Sequence, residues 1–458
     1  MNADVHSQDF AIAIIGGGAG GVLTALHALR LATAGTRIVM IEPATRLADG
    51  VAYATRHAEH LLNVPARRMS AFNDRPDDFV DFLVADDEGT REEIGISYAQ
   101  RRRYGDYLRA RLQQARNDTL AHFEVRHERV TAIEPGAGAW QLTLESGSLL
   151  QARGIVLAVG NTPKPLPARG ASSLPAQSVL EAWDFDSLKR IPTDAEVCIA
   201  GPGPRMVGTV LSLLANGHRG RMHVLSRHAL LPLPHTAHSV ATLETGFLQR
   251  LSLRARMRFL RRAVEKAEAG GLPWQPVMEA VRPSEQAPWS TLCLRDQKRF
   301  LRHVVRYWDV HRHRIAAQVH AQLQQLQASG QLQLHRARLD TVAREGQRLR
   351  ITGLTRDRRA LQLDVDRIVN ATGVEMRAPL MRNPLLSDLL GKGLARPGPH
   401  GIGIDTTPEG YLVDADGEVR PDFMVIGSLR IGRLWESIAV PELRGQAESA
   451  ARRLLARM

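Results

Sequence analysis

The chain has 458 residues, 44% of them hydrophobic, and a net charge of +12 from 60 Lys and Arg against 48 Asp and Glu. That length asks for two or three domains with ordinary cores. Two distant cysteines, Cys198 and Cys293, exclude a disulfide framework, a Cys-x-x-Cys pair and a self-contained zinc site, and fit a reduced cytoplasmic compartment. The first apolar stretch, Ala11 to Leu29, holds a glycine cluster and a histidine and follows no basic leader, so it reads as neither signal peptide nor membrane span. With lysine at only five positions the excess charge is arginine. These arginines are scattered without interleaved aromatics, which argues against nucleic acid and for a field that favours polyanionic small molecules.

Phe10 to Ile15 predicts a buried parallel strand, and Val22 to Leu29 a helix. Between them Gly16, Gly18 and Gly21 stand at G-x-G-x-x-G spacing. In such a turn the first glycine allows the tight bend, the second a close approach by pyrophosphate, and the third helix–strand packing. The helix N-terminus supplies free N–H groups. A second strand, Arg37 to Ile41, ends at Glu42, about 20 residues beyond the last glycine, as the fingerprint for a ribose-binding acid requires. A carboxylate there repels a 2′-phosphate, so this site suits FAD or NAD.

Further on, Gly154 to Val159 predicts an apolar strand that runs into Gly160-Asn161-Thr162-Pro163, and Arg367 to Gly373 repeats that pattern. Between them the strand Glu196 to Ala200 leads into Gly201-Pro202-Gly203-Pro204-Arg205-Met206-Val207-Gly208, a degenerate form of the first turn. Its second strand, Met222 to Leu225, ends in Ser226-Arg227. A hydroxyl and a guanidinium there can hold the 2′-phosphate of NADPH through charge-assisted bonds, and Arg205 is placed to reach a pyrophosphate. Leu248 to Leu326 turns helical and Arg-rich, with Phe300, Val304 and Trp308 at intervals of four predicting one buried face. His311 and His313, two apart, would face different ways on a helix, so no metal site is expected.

Several signatures together carry a resemblance: Gly50-Val51-Ala52-Tyr53-Ala54-Thr55, His60-Leu61-Leu62-Asn63-Val64-Pro65-Ala66 with Met69-Ser70, Arg103-Tyr104-Gly105-Asp106-Tyr107-Leu108, Trp183-Asp184, Arg299 to His303, Trp308 to Arg314, and Trp435 to Arg444. The chain resembles the bacterial FAD-NAD(P)-binding protein family, itself similar to flavin-containing and N-hydroxylating monooxygenases. Two departures stand out. Gln177 falls where flavin-containing monooxygenases have the histidine of F-x-G-x-x-x-H, and Gly208 falls where many family members have an acid.

The resemblance implies an α/β fold of two Rossmann-like three-layer domains, the NADPH domain inserted in the FAD domain, with the isoalloxazine at their junction. The expected boundaries are 1–165 for the first FAD segment, 166–365 for the NADPH domain with a helical insertion at about 240–330, and 366–458 for the C-terminal return. It also implies flavin contacts from Asn63, Val130, Gly160, Gly427 and the Ile438-Ala439 backbone, with Asn63, Asn161 and Ser437 as polar neighbours of the reacting ring. The expected activity is an NADPH-using, FAD-dependent monooxygenase that forms a flavin C4a-hydroperoxide and oxygenates a small amine or amino acid with O2. The alternatives are a flavin reductase or electron-transfer flavoprotein without oxygen insertion, and a dinucleotide-binding redox sensor or scaffold without turnover.

Overall fold

The computed structural model describes residues 9–236, 243–281 and 289–458. The chain divides into two compact units. One comprises Met1–Arg56, Val64–Thr162 and Glu375–Met458; the other comprises His57–Asn63 and Pro163–Val374.

The first unit is built on an eight-stranded sheet. Its main path runs Tyr411–Val413, Val419–Val425, Leu149–Leu157, Asp9–Ile15, Arg37–Ile41, His122–Arg126. The last five strands of this path are parallel, with Ile14 opposite both Met40 and Val156 and with Phe423 opposite Ile155. Phe10, Ala11, Ile12, Ala13, Ile14 and Ile15 are all buried, because the central strand of a doubly covered parallel sheet has no solvent face. One face carries the helices Ala19–Leu31, Arg101–Asp118 and Val440–Leu455. On the other face Trp140, Leu142 and Leu144, from an antiparallel strand beside Leu149–Leu157, join Phe423 and the helix Pro384–Gly391 in one apolar core.

The second unit holds a seven-stranded sheet, in the order Ala360–Val365, Arg348–Thr355, Leu332–Glu345, Met222–Ser226, Val197–Ala200, Arg367–Asn370, Val179–Glu181. Here too the strands around the glycine turn are parallel, Leu225 pairing with Ala200 and Asn370 with Ala200. The Arg-rich stretch forms the helices Leu253–Ala269, Gln275–Val281, Leu294–His303, Val305–Arg312 and Ala317–Ala328. The run expected as one buried helical face is broken at Val304, where the backbone turns to φ −110°. Phe300 is buried, Val304 and Trp308 are half-buried, and the Phe300 and Trp308 rings still meet edge to face at 6.0 Å. His311 Nδ1 bonds the Tyr307 carbonyl of its own helix, and its ring packs on Trp274. Among the described residues no helix is long and apolar enough to cross a membrane.

Candidate functional site

Each unit carries a strand, a glycine turn and a helix, built by the same backbone moves. In the first, the Gly16 N–H donates to the Ile41 carbonyl at 2.9 Å, and the chain turns at φ +107°. A Cβ on Gly16 would lie 2.6 Å from the Ala158 carbonyl oxygen, so only glycine fits. Gly18 caps the helix Ala19–Leu31 without a side-chain cap, and a Cβ there would meet nothing within 4 Å. Gly21 is the tightest position, where a Cβ would stand 1.8 Å from the Gly16 oxygen. The helix is pressed onto the turn, and its first N–H groups face open space in front of Gly18. Such a cradle admits a phosphate.

Glu42 closes this turn. Its Oε2 accepts the Gly17 N–H at 2.6 Å, and its Oε1 accepts the Ala44 N–H at 2.9 Å. Each carboxylate oxygen keeps a lone pair for a ribose hydroxyl. Beside it Arg46 and Arg109 bridge Asp49 and Asp106, and Arg109 also donates to the Leu47 carbonyl, which ties the loop after Glu42 to the helix Arg101–Asp118.

The other expected contacts of this unit gather near the C-terminal helix. Leu443 Cδ2 lies 3.7 Å from where a Gly20 Cβ would be and 3.3 Å from where a Gly427 Cβ would be, so the first turn and the Gly427 turn pack on one side chain. Gly427 has φ +72°, and Ala439 caps the helix Val440–Leu455 without a side-chain cap. Ser437 is fully buried, and its Oγ has no partner among the described residues. Asn161 Oδ1 is likewise buried and unbonded, next to Gly160 at φ +70°. Buried polar atoms without partners are uncommon and ask for a ligand or a water. With the open cradle at Gly18, these residues fit a dinucleotide carrying a polar ring system. Ile438 is 53% exposed, whereas the Val130 side chain is in the core and leaves only backbone to a ligand. Asn63 belongs to the second unit, where its side chain is exposed and its carbonyl accepts from the His235 ring at 2.9 Å.

The second turn repeats the first with three changes. The Gly201 N–H donates to the Leu225 carbonyl at 3.0 Å, φ is +114°, and a Cβ would stand 2.4 Å from the Ala371 oxygen. Gly203 caps the helix Pro204–Ala215 and again faces open space. Pro202 replaces Gly17 and has no N–H for a carboxylate to hold. Met206 replaces Gly21 and is fully buried. Ser226 replaces Glu42, and its Oγ accepts the Ala229 N–H at 2.9 Å, so the hydroxyl is already engaged by the turn. The Arg205 guanidinium stacks over the Trp183 ring at 4.3 Å.

Arg227 is exposed beside a cationic group that sequence reasoning did not single out. Burial first, then Arg306 and Arg338, presses its guanidinium below its ordinary value. His228 is lowered by burial and then by Arg227, Arg336 and Arg306. Arg306 reaches Asp309 at 3.1 Å, whereas Arg227, Arg336 and Arg338 make no ion pair among the described residues. The signal was weak because Arg306 and Arg336 lie far along the chain; only the Ser226–Arg336 register brings that strand alongside. Gly208 was also underread. His60 Nε2 lies 3.0 Å from its carbonyl and 3.0 Å from Ser212 Oγ, and the missing side chain leaves room for the ring.

Two glycine-turn units of this build define a protein of the two-dinucleotide class. Residues 13–162 match the model of the FAD-NAD(P)-binding family. A comparison with curated proteins by sequence gives no match. Among solved structures, the chain is similar to an ornithine N-hydroxylase from Kutzneria sp. 744, solved with reduced FAD, NADP+ and L-ornithine, at TM-score 0.66 and 17% identity over 98% of this chain and 99% of that one. It is similar to a cadaverine monooxygenase of desferrioxamine biosynthesis from Erwinia amylovora, bound to FAD, at TM-score 0.60 and 13% identity over 98% and 95%. A bacillithiol disulfide reductase from Staphylococcus aureus aligns at TM-score 0.59 and 14% identity over 98% and 99%. At these identities the likeness is one of fold.

Proposed function

We propose that the chain is an FAD-dependent, NADPH-using monooxygenase that transfers one oxygen atom of O2 to a small amine. The observation that carries this reading is the contrast between two cradles of one design: a carboxylate closes the first, and the guanidinium of Arg227, which makes no ion pair among the described residues, closes the second. The first would hold FAD, with Gly16, Gly18 and Gly21 admitting the pyrophosphate and Glu42 taking the adenosine ribose. The second would hold NADPH, with Gly201 and Gly203 at the pyrophosphate and Arg227 on the 2′-phosphate, where a dianion relieves the crowding of like charges. Bound FAD would supply hydride acceptance and O2 activation, chemistry that side chains lack.

The protein's own part is binding, orientation and solvent exclusion. Ser437 and Asn161, each with a buried side-chain oxygen that has no partner among the described residues, offer polar atoms to the bound group. The balance is NADPH, a proton, O2 and the amine giving NADP+, water and the hydroxylamine. The solved relatives named for ornithine and cadaverine support an amine as acceptor. A thiol route is less well supported: Cys198 is buried in a strand, its thiol pushed up to about 12 by burial, and Cys293 is not its neighbour in sequence.

The test is the visible spectrum of the purified protein, followed by NADPH oxidation against a panel of diamines and basic amino acids, with hydroxylamine and peroxide measured separately. Flavin bands and hydroxylamine formed in step with NADPH consumed are expected. Peroxide in place of hydroxylamine across the panel would favour the reductase reading, and a colourless protein would remove both.

A further inference from the structure

Gln446 sits in the helix Val440–Leu455, is 7% exposed, and spends both ends of its amide on backbone outside its own helix. Its Oε1 accepts the Gly427 N–H at 2.9 Å, and its Nε2 donates to the Ser437 carbonyl at 3.0 Å. The two partners fix the amide orientation, since the Gly427 N–H can only donate and the Ser437 carbonyl can only accept. One side chain thus joins the turn after Val419–Val425 to the segment that enters the helix.

That segment is strained. Trp435 has φ +61° and ψ −57°, and the Glu436 N–H donates to the Leu434 carbonyl at 2.7 Å. This is the rare γ-turn with positive φ, which a bulky residue adopts only where its surroundings hold it. Two residues on, Ser437 presents its buried, unbonded Oγ, and its carbonyl is the one that Gln446 holds.

We infer that Gln446 is a positioning residue of the first dinucleotide site: it clamps Gly427 and Ser437 at a fixed spacing, keeps the Trp435 turn closed and thereby aims the Ser437 hydroxyl at the ligand. The inference rests on the reading of this unit as the FAD site. It assigns Gln446 no contact with the cofactor and no part in proton transfer. Leucine at 446 keeps the helix and much of the volume but removes both bonds. Glutamate keeps the acceptor for Gly427 and loses the donor to Ser437. Leu454, buried in the same helix two turns further on, touches neither segment through a hydrogen bond and serves as a purely structural control.

The experiment compares the full-length wild type with Gln446→Leu, Gln446→Glu and Leu454→Ala by thermal midpoint without cofactor, FAD dissociation constant and visible circular dichroism of the bound flavin. Gln446→Leu should raise the dissociation constant at least about tenfold, the equivalent of about 1.4 kcal/mol, and change the flavin dichroism. Gln446→Glu should fall between it and wild type with the same sense of spectral change. Leu454→Ala should lower the thermal midpoint but keep the dissociation constant within about twofold (under roughly 0.5 kcal/mol) and leave the spectrum alone. Should Gln446→Leu not fold, Gln446→Glu alone decides. Wild-type affinity and spectrum in the Gln446 variants, or an equal loss of affinity in Leu454→Ala, overturns the clamp while the cofactor reading stands. A wild type that takes up no FAD overturns both.

Discussion

The two glycine turns are one design under different constraints. In the first, Glu42 ties two backbone N–H groups, those of Gly17 and Ala44, and the helix is so close that Gly21 can carry no side chain. In the second, proline removes the N–H that would need an acid, a buried methionine stands where the first has its third glycine, and serine with arginine takes the place at the strand end. The carboxylate of the first turn is therefore a structural acceptor as well as the ligand group proposed above. Where proline makes the acceptor unnecessary, the position is free to change sign. Under the proposed reading, the choice of coenzyme follows from which backbone donors the turn must satisfy.

The contrast can be broken most forcefully at Gly21. Alanine there puts a methyl 1.8 Å from the Gly16 oxygen. The expected loss is more than about 4 kcal/mol in denaturant unfolding, or no folded product. A well-folded Gly21→Ala would show that the first helix is not pressed on its turn. Next comes the acceptor role. Glu42→Ala strands two N–H groups and should cost about 3 kcal/mol without any ligand, whereas Ser226→Ala strands one and should cost about 1 kcal/mol. Equal losses would remove the asymmetry.

Coenzyme choice is the third test. Arg227→Ala should weaken NADPH by ~2 kcal/mol in titration calorimetry and leave NADH nearly unchanged. Equal weakening of both would mean that Arg227 reads another part of the nucleotide. The smallest effect is a proton. His228 is lowered from 6.5 in the free protein and is therefore mostly neutral at pH 7. A bound dianion favours the charged ring and raises that value, so NADPH should bind with net proton uptake, and its advantage over NADH should grow as pH falls from about 7.5 to 6.5. Calorimetry in two buffers of different ionisation enthalpy should show uptake of less than about one proton, by linkage, that vanishes in His228→Ala.

The strands and both cradles were legible because their chemistry is local. A buried parallel strand is a run of apolar residues, and a turn that meets a carbonyl at 2.4–2.6 Å can be nothing but glycine, as at Gly16 and Gly201. The acid at Glu42 and the guanidinium at Arg227 follow each strand at a countable distance. The helix break at Val304 was hidden because Phe300, Val304 and Trp308 keep helical spacing across it. The Arg227 cluster and the Gln446 clamp were hidden for another reason. Arg306, Arg336 and Gln446 are ordinary polar residues on ordinary elements, and only long-range pairing gives them meaning. Pro202 could have been read. A proline where the first turn has an N–H already says that no acid is needed after the next strand.

The division of the first unit has a consequence for how the molecule is made. Its strand Leu149–Leu157 lies beside Val419–Val425, and between the two the chain builds the Pro163–Val374 portion of the second unit. On the ribosome, six of the eight strands of this sheet have been made by Leu157, and the last two, with the Gly427 turn, arrive only about 250–270 residues later. At translation speeds of about 5–20 residues per second, that is a wait of tens of seconds with an unpaired strand edge exposed. The second unit, apart from its short piece at His57–Asn63, is contiguous and can close while the first is still waiting. Loading of the first cradle is thus a late event in the life of each copy, and chaperone dependence should track the first unit more closely than the second.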